Sequence, residues 1–323
     1  MARYGVSPET QTRVYTDEQA APATAVVLQS EPDGKGHRLT SLTNAHSLEY
    51  GFVNGSAAGL QTALAEIVSE IVCERPRWDS LSLSELDPLE PSYAAFGRAL
   101  RHAGFLVEYS FNSGTWYEET AGLTFADYLE ARPSELRNTW RRKRRKLQQS
   151  YRLNTRFFCD DTRIEEALAD YQTVYAASWK PAEFFPDFVP ALIRLAAGLR
   201  ALRLGIYYLD GMPAAAQFWI VWRRRGFICK LAHDKRFDAL SLGTILTMEM
   251  FERVLADDQP REISLGRGDD PYKKLWLPKR RERWGITAAN PRTLRGLRVG
   301  LKRQAATVYH RLRGERVCRP VIL

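Results

Sequence analysis

Residues 265–276 read LGRGDDPYKKLW, which brings two adjacent carboxylates, a phenol and two ammonium groups into one short stretch after an apolar, strand-like segment. Such a set can do general acid–base chemistry and can stabilise a developing anion. Asp269 and Asp270 repel each other, so one of them is expected to have a raised pKa suited to a base. Asp270 has a competing role as cap of a helix that begins at Pro271. Tyr272 can give a proton to a leaving group, and Lys273 can hold an oxyanion or a phosphate unless it merely snorkels. Lys274, one residue on, points elsewhere on a helix.

The chain has 323 residues, 45% of them hydrophobic and 11% aromatic, and carries a formal charge of +9. This is a globular composition with room for two modest domains, and its charge favours an anionic partner: a phosphorylated cofactor, nucleic acid or a phospholipid surface. Cys73, Cys159, Cys229 and Cys318 form no CxxC pair and have no histidine at ligand spacing. They read as buried, reduced thiols, and neither zinc nor a disulfide framework is expected. The first 15 residues contain no apolar leader core, and no window approaches a membrane span. A cytoplasmic protein, with peripheral contact to the inner membrane as an option, is the expectation.

Several elements must position that stretch. Residues 1–22 lack periodicity and read as a loosely ordered arm. Strand 25–29, helix 57–73, strand WDSLSLSEL, helix 91–103 and strand FLVEYSF follow. Trp78, Trp116 and Tyr117 in this half read as core aromatics before pocket walls. Ser134 is the expected N-cap of a helix whose stripe is Leu136, Trp140 and Leu147. That helix carries Arg137, Arg141, Arg142, Lys143, Arg144, Arg145 and Lys146, a density that an anion would relieve. Next come strand LNTRFFC, helix 164–179, a Pro/Phe-rich turn, helix 187–202, three strands joined by tight turns, helix SLGTILTMEMFERVL and strand EISLG. Gln217 and Lys230 lie in otherwise apolar strands, where polar groups need partners, so they are expected to face a cleft. His233 and Asp234 end the three-strand meander, and Trp179 and Lys180 end a helix where they can wall an acceptor site. Beyond Trp284 the chain is basic, with Leu294, Leu297, Leu301, Val308 and Leu312 at near-helical spacings. A helix packed on the body with a solvated basic face is the ordinary reading, and a helix lying on membrane or RNA is the other.

The order strand, two helices, antiparallel meander, helix, strand resembles the GNAT acyltransferase fold. The combination of SW at Trp179, PAAAQFWIV, SLGTIL, LGRGDDPYKKLW and RRERWGI looks like the CelD/BcsL branch of GNAT-like proteins, distant relatives of the Fem aminoacyl-tRNA-dependent ligases. The resemblance implies an α/β (α+β) fold of tandem GNAT-like units. Each is a mixed, mostly antiparallel sheet flanked by helices, with a degenerate first unit at 23–130, the acyltransferase unit at 131–290 and a basic tail at 291–323. It also implies acyl-CoA as co-substrate, without a metal, its pyrophosphate resting on backbone amides at a helix start. Lys230, Leu231, Ala232, Leu242, Gly243 and Thr244 form the cofactor set, although Leu240 and Ile245 stand where the family's loop has Gln or Arg and Gly or Ala. Asp269, Asp270, Tyr272 and Lys273 become the catalytic set. Trp179, Lys180, Gln217, His233, Arg267, Trp276, Arg141 and Arg145 become the substrate-binding set. The implied reaction is N-acylation of a small-molecule, saccharide or peptide amine, in cell-envelope or exopolysaccharide biosynthesis. The alternatives are a Fem-like ligase using aminoacyl-tRNA and a non-catalytic polysaccharide-assembly factor.

Overall fold

The computed structural model describes residues 10–17, 23–33, 36–44, 46–54, 57–183 and 185–312. It divides into two compact units, Met1–Gly114 with Arg281–Leu323, and Thr115–Arg280. The chain changes unit inside two strands, so residues 115–130 and 281–290 each belong to the other unit from the one the sequence boundaries assign.

In the first unit β1 (Gln11–Thr16), β2 (Ala25–Asp33) and β3 (Gly36–Ser41) form an antiparallel meander. The expected disordered arm is therefore a strand over Gln11–Thr16, anchored by the buried ring of Tyr15; residues 1–9 and 18–22 lie outside the described residues. Helix α1 (Leu60–Cys73) buries Leu60, Leu64, Ile67, Val68 and Ile71, an i, i+4, i+7 stripe. β4 (Ser80–Leu86) runs parallel to β3 and buries Leu81 and Leu83 by simple alternation. α2 (Pro91–His102) starts with proline at its first turn, where no amide is missed. β5 (Leu106–Glu119) then carries the chain into the second unit. Trp78 is buried in this unit's core and donates to Glu74. Cys73 is exposed, and so departs from the expected set of buried thiols; Cys318 lies outside the described residues.

The second unit begins with α3 (Phe125–Glu130), capped reciprocally by Thr124 and Asp127, and α4 (Ser134–Ser150). Pro133 rather than Ser134 is the N-cap of α4, because Ser134 already has helical geometry and no side chain caps the end. β6 (Leu153–Phe158), α5 (Ile164–Ala176), α6 (Phe188–Gly198), β7 (Leu202–Leu209), β8 (Met212–Trp222), β9 (Arg225–His233), α7 (Leu242–Asp257) and β10 (Glu262–Arg267) follow. β6, β7, β8 and β9 pair antiparallel in order, β10 pairs parallel with β9, and the end of β5 closes the row antiparallel to β10. Both faces of this sheet are covered. Leu204, Ile206 and Phe218 join the core under α5 and α6, whereas Tyr207, Leu209 and Trp219 join the one under α4 and α7. Double coverage explains why LGIYYL and AAAQFW read as continuous apolar runs.

Finally β11 (Lys279–Ala289) returns to the first unit beside β4, and α8 (Leu294–Leu312) follows. α8 packs through glycine, not leucine. A Cβ on Gly296 would lie 2.5 Å from the Asp79 carbonyl oxygen, and one on Gly300 would lie 2.5 Å from Leu106. Leu294, Leu297 and Leu301 point outward, 82%, 38% and 55% exposed, so α8 packs on the body with its basic side solvated as expected, but not through these leucines.

A buried ion pair fixes the second unit internally. Arg132 donates to Glu118 at 2.7 Å and to the carbonyls of Tyr128 and Trp276, and its guanidinium stacks 4.4 Å from the Tyr128 ring centre. Burial raises the pKa of Glu118 while Arg132 pulls it down. Removing Arg132 strands a buried carboxylate, which typically costs about 3–5 kcal/mol. Without the arginine the folded-state pKa of Glu118 rises further above its unfolded value, so the penalty is full at neutral pH and shrinks as acid protonates the group. Arg132→Met is therefore expected to destabilise the protein by about 3 kcal/mol at pH 7 in urea titrations, and by clearly less near pH 5. Equal losses at both pH values would show that the stranded charge is not the cause.

Candidate active site

β9 and β10 part company. Their parallel pairing covers Glu262, Ile263 and Ser264 against Arg225, Gly226 and Phe227, and then stops, while β9 continues beside β8 to His233. The reason is local. Gly266 and Gly268 both have positive φ (+61° and +115°), and the register between β10 and β5 shifts between Ser264 and Arg267. Such backbone is accessible to glycine at little cost and strained for other residues. β9 has its own irregularity: register slips by one residue at Cys229, between the pairs Phe218–Lys230 and Trp219–Ile228. The result is a gap lined by the distal half of β9, with the start of α7 at its side.

Lysines converge at this gap. Lys230 forms an ion pair with Glu183, which also accepts from the Tyr175 hydroxyl at 2.6 Å. Lys230 stands 5.8 Å from the Tyr175 ring centre, and Lys180 stands 5.8 Å from that of Trp179. Burial first, and then the like charges of Lys230 and Lys273, lower the pKa of Lys180 against the opposing pull of Glu183. Trp179 packs on the His233 ring at 4.4 Å, and His233 Nε2 is 2.9 Å from Asp238 while its Nδ1 is buried without a partner. Gln217 is buried on β8 opposite Leu231, and its side-chain carbonyl is likewise unpartnered. Trp179, Lys180, Lys230 and His233 thus come together beside the distal half of β9, and Gln217 lies on the neighbouring strand. Tyr175 and Glu183 join them unforeseen. Tyr175 precedes Trp179 by one helical turn, and Glu183 is an acid within a Pro/Phe-rich turn, so both signals were present in the chain. Cys229, beside Lys230, is no nucleophile, since burial pushes its thiol up to about 12.

The DDPYKKLW stretch is more structural than its composition suggests. Asp269 is gripped bidentately by Arg280 (2.8 and 2.6 Å), whose hydrogen bonds lower its pKa, so the expected upward shift from Asp270 is absent. Asp270 makes no capping bond, and its half-exposed carboxylate lies 3.2 Å from the Lys273 ammonium. Lys273 is itself 5% exposed and donates to the carbonyls of Arg267 (2.8 Å) and Gly268 (3.2 Å). Its three donors are engaged in fixing the loop, which leaves none for an oxyanion. Tyr272 stands 56% exposed next to Asp270. The side chain of Arg267 is exposed while its carbonyl serves Lys273. Trp276 is not a substrate contact. It is buried, stacks on Phe251 (6.1 Å, 5°), and gives its carbonyl to Tyr128 and Arg132.

At the start of α7 the amides of Leu242 and Gly243 make no backbone hydrogen bond, whereas Thr244 and Ile245 donate to Ser241, which is left-handed (φ +57°). These amides and the positive helix end suit an anion such as a pyrophosphate. Gly243 also has a packing task. A Cβ there would sit 3.0 Å from Leu231 and 3.6 Å from His233, so the glycine lets α7 lie against β9. Leu242 and Ala232 are fully buried, and only their backbone can face a ligand. Lys143 of α4 donates to the Ala239 carbonyl, bringing the basic helix beside this end, while Arg141 and Arg145 project from α4 into solvent. Among the described residues no group of three His, Cys, Asp or Glu side chains converges as metal ligands would. A separate groove of about 680 Å³ runs along β6 and residues 159–163, lined by Arg156, Asp160 and Arg163.

Residues 134–274 match the model of the acetyltransferase (GNAT) domain. No curated protein matches the chain in sequence. In fold it is similar to FemX (TM-score 0.62, 9% identity, covering 85% of this chain and 88% of that one). It is also similar to the C-terminal DUF2156 domain of an Agrobacterium fabrum protein described as a lysylphosphatidylglycerol synthetase (TM-score 0.55, 13% identity, 92% and 88% covered). A third similar structure is L-PGS from Bacillus licheniformis (TM-score 0.52, 10% identity, 90% and 88% covered). The chain therefore has the mixed α/β architecture of these structures, and the stretch of its second unit over residues 134–274 is the part that is similar to the GNAT domain.

Proposed function

We propose that the chain is an N-acyltransferase that moves an acyl group from acyl-CoA to an amine, with the reaction at the gap between β9 and β10. The observation that carries this reading is the early end of the β9–β10 pairing beside the free amides of α7. A donor's pyrophosphate rests at Leu242 and Gly243, and its thioester enters along β9. The attacking amine forms the new C–N bond as the C–S bond breaks, and the released thiolate takes a proton. Lys180 is the group best suited to accept the proton of the incoming ammonium, since its surroundings already disfavour its charged form. Asp270, exposed and bound only to Lys273, orients the amine, and Tyr272, a phenol at neutral pH, is placed to protonate the thiolate. The likeness to the CelD/BcsL branch supports an envelope or exopolysaccharide acceptor.

A second reading, aminoacyl-tRNA as donor, is favoured by one observation: the solvent-facing arginines of α4 lie on the helix that Lys143 ties to the approach of α7. Calorimetry separates the two. Acyl-CoA is expected to bind saturably in the micromolar to millimolar range, and silence at millimolar acyl-CoA together with salt-sensitive tRNA binding, lost in Arg141→Glu/Arg145→Glu, would select the second reading.

The role of Lys180 has its own signature. Burial and the neighbouring lysines hold its folded-state pKa below the unfolded value, so its neutral, proton-accepting form grows as pH rises through the folded pKa and does so at lower pH than for a free lysine. kcat/KM is expected to climb with pH on that limb. Lys180→Arg, which stays charged, is expected to lose at least tenfold and to flatten the limb while melting like wild type. An unchanged profile would remove Lys180 from the chemistry.

A further inference from the structure

The outward side of α8 combines features that no role inside the fold explains. Gly296 and Gly300 hold its inner face against Asp79, Ala289 and Leu106, and Arg303 pairs there with Glu108 at 3.6 Å. Helical periodicity then turns Leu294, Leu297 and Leu301 away from that packed face, where all three are exposed. Arg298 and Lys302 follow along one border of this leucine stripe and are exposed, while Arg295 folds back against Gly36 beside Asp79. Exposed aliphatic residues on a helix that could instead have packed them inward call for an occupant.

Charge says which occupant. Residues 291–323 contain nine Lys or Arg and a single acid, Glu315, so this stretch carries eight of the nine net positive charges of the whole chain. The rest of the protein, basic α4 included, is close to neutral. A convex leucine stripe with basic residues beside it fits the boundary of an anionic bilayer, where leucine enters the acyl region and the long basic side chains reach headgroup phosphates. A nucleic-acid backbone would use the basic residues and leave the leucines in water. We propose that the outward face of α8 docks the protein on an anionic phospholipid surface. This attachment is independent of which donor the β9–β10 gap accepts.

Flotation of the full chain with vesicles tests it, using phosphatidylcholine alone and phosphatidylcholine mixed with phosphatidylglycerol, at low and high salt. Binding is expected only to the anionic vesicles and is expected to weaken with salt. Arg298→Gln and Lys302→Gln are each expected to weaken it about fivefold. Leu294→Ser/Leu297→Ser/Leu301→Ser is expected to abolish it, with an unchanged thermal melt because the three side chains are exposed. Equal binding to both vesicle types, no binding to either, or full binding by the triple-leucine variant would overturn the proposal. So would a concentration-dependent dimer that the triple variant dissolves, which would assign the stripe to a second copy, or tight RNA binding that ignores the leucines.

Discussion

The second unit depends on how briefly β9 and β10 stay together. A parallel pair that continued to the end of β9 would satisfy more backbone hydrogen bonds and would leave no gap. The chain forgoes them at Gly266, where a left-handed residue turns β10 aside after three paired residues. Trp276 then pins the diverging segment in the core, its carbonyl held by Tyr128 and the buried Arg132, and Lys273 closes the loop onto the carbonyls of Arg267 and Gly268. The gap is therefore a built feature with glycine at its hinge, a tryptophan as its anchor and a lysine as its clasp.

Electrostatics gives the gap its character. Lys180, Lys230 and Lys273 lie close enough to influence one another, with Glu183 as counter-charge for Lys230 and Asp270 for Lys273. Burial first, and then this grouping, lowers the pKa of Lys180, which has no ion pair among the described residues. Anionic or electron-rich groups of a ligand relieve the repulsion within the grouping, which links affinity to the same arrangement that makes Lys180 a proton acceptor. The two other concentrations of positive charge differ in kind. On α4 the buried stripe of Leu136, Trp140 and Leu147 faces the core and arginine faces water, whereas on α8 the leucines themselves face water.

Much of the second unit was legible in the chain. Helix stripes and the tight turns of the three-strand meander follow from local periodicity and turn residues, and the element order that resembles GNAT proteins is the order found. Trp179, Lys180, Lys230 and His233 stand out in the chain because polar or aromatic groups at strand and helix ends need a reason, and the fold places them near one another, with Gln217 on the next strand. The misreadings share one cause. Asp269 looked like half of a repelling pair, but its partner is Arg280, eleven residues on. Trp276 looked like a site residue, but its carbonyl partners, Tyr128 and Arg132, lie more than 140 residues away. The strand at Gln11–Thr16 was missed because its stability comes from pairing with β2, not from its own periodicity.

By itself, then, the sequence determined most helices and strands from Ser134 to Arg267 and the order in which they follow, because these rest on local backbone preference and on spacing within one element. Only the tertiary structure decided which charged groups are spent on holding the loop and which remain for chemistry, since a carboxylate's pKa and a lysine's free donors are set by whatever the fold brings within a few ångströms. It also decided which face of α8 is inside. Leucine spacing pointed one way, but two glycines allow closer backbone contact than any leucine, and close packing turned the apolar stripe out to solvent.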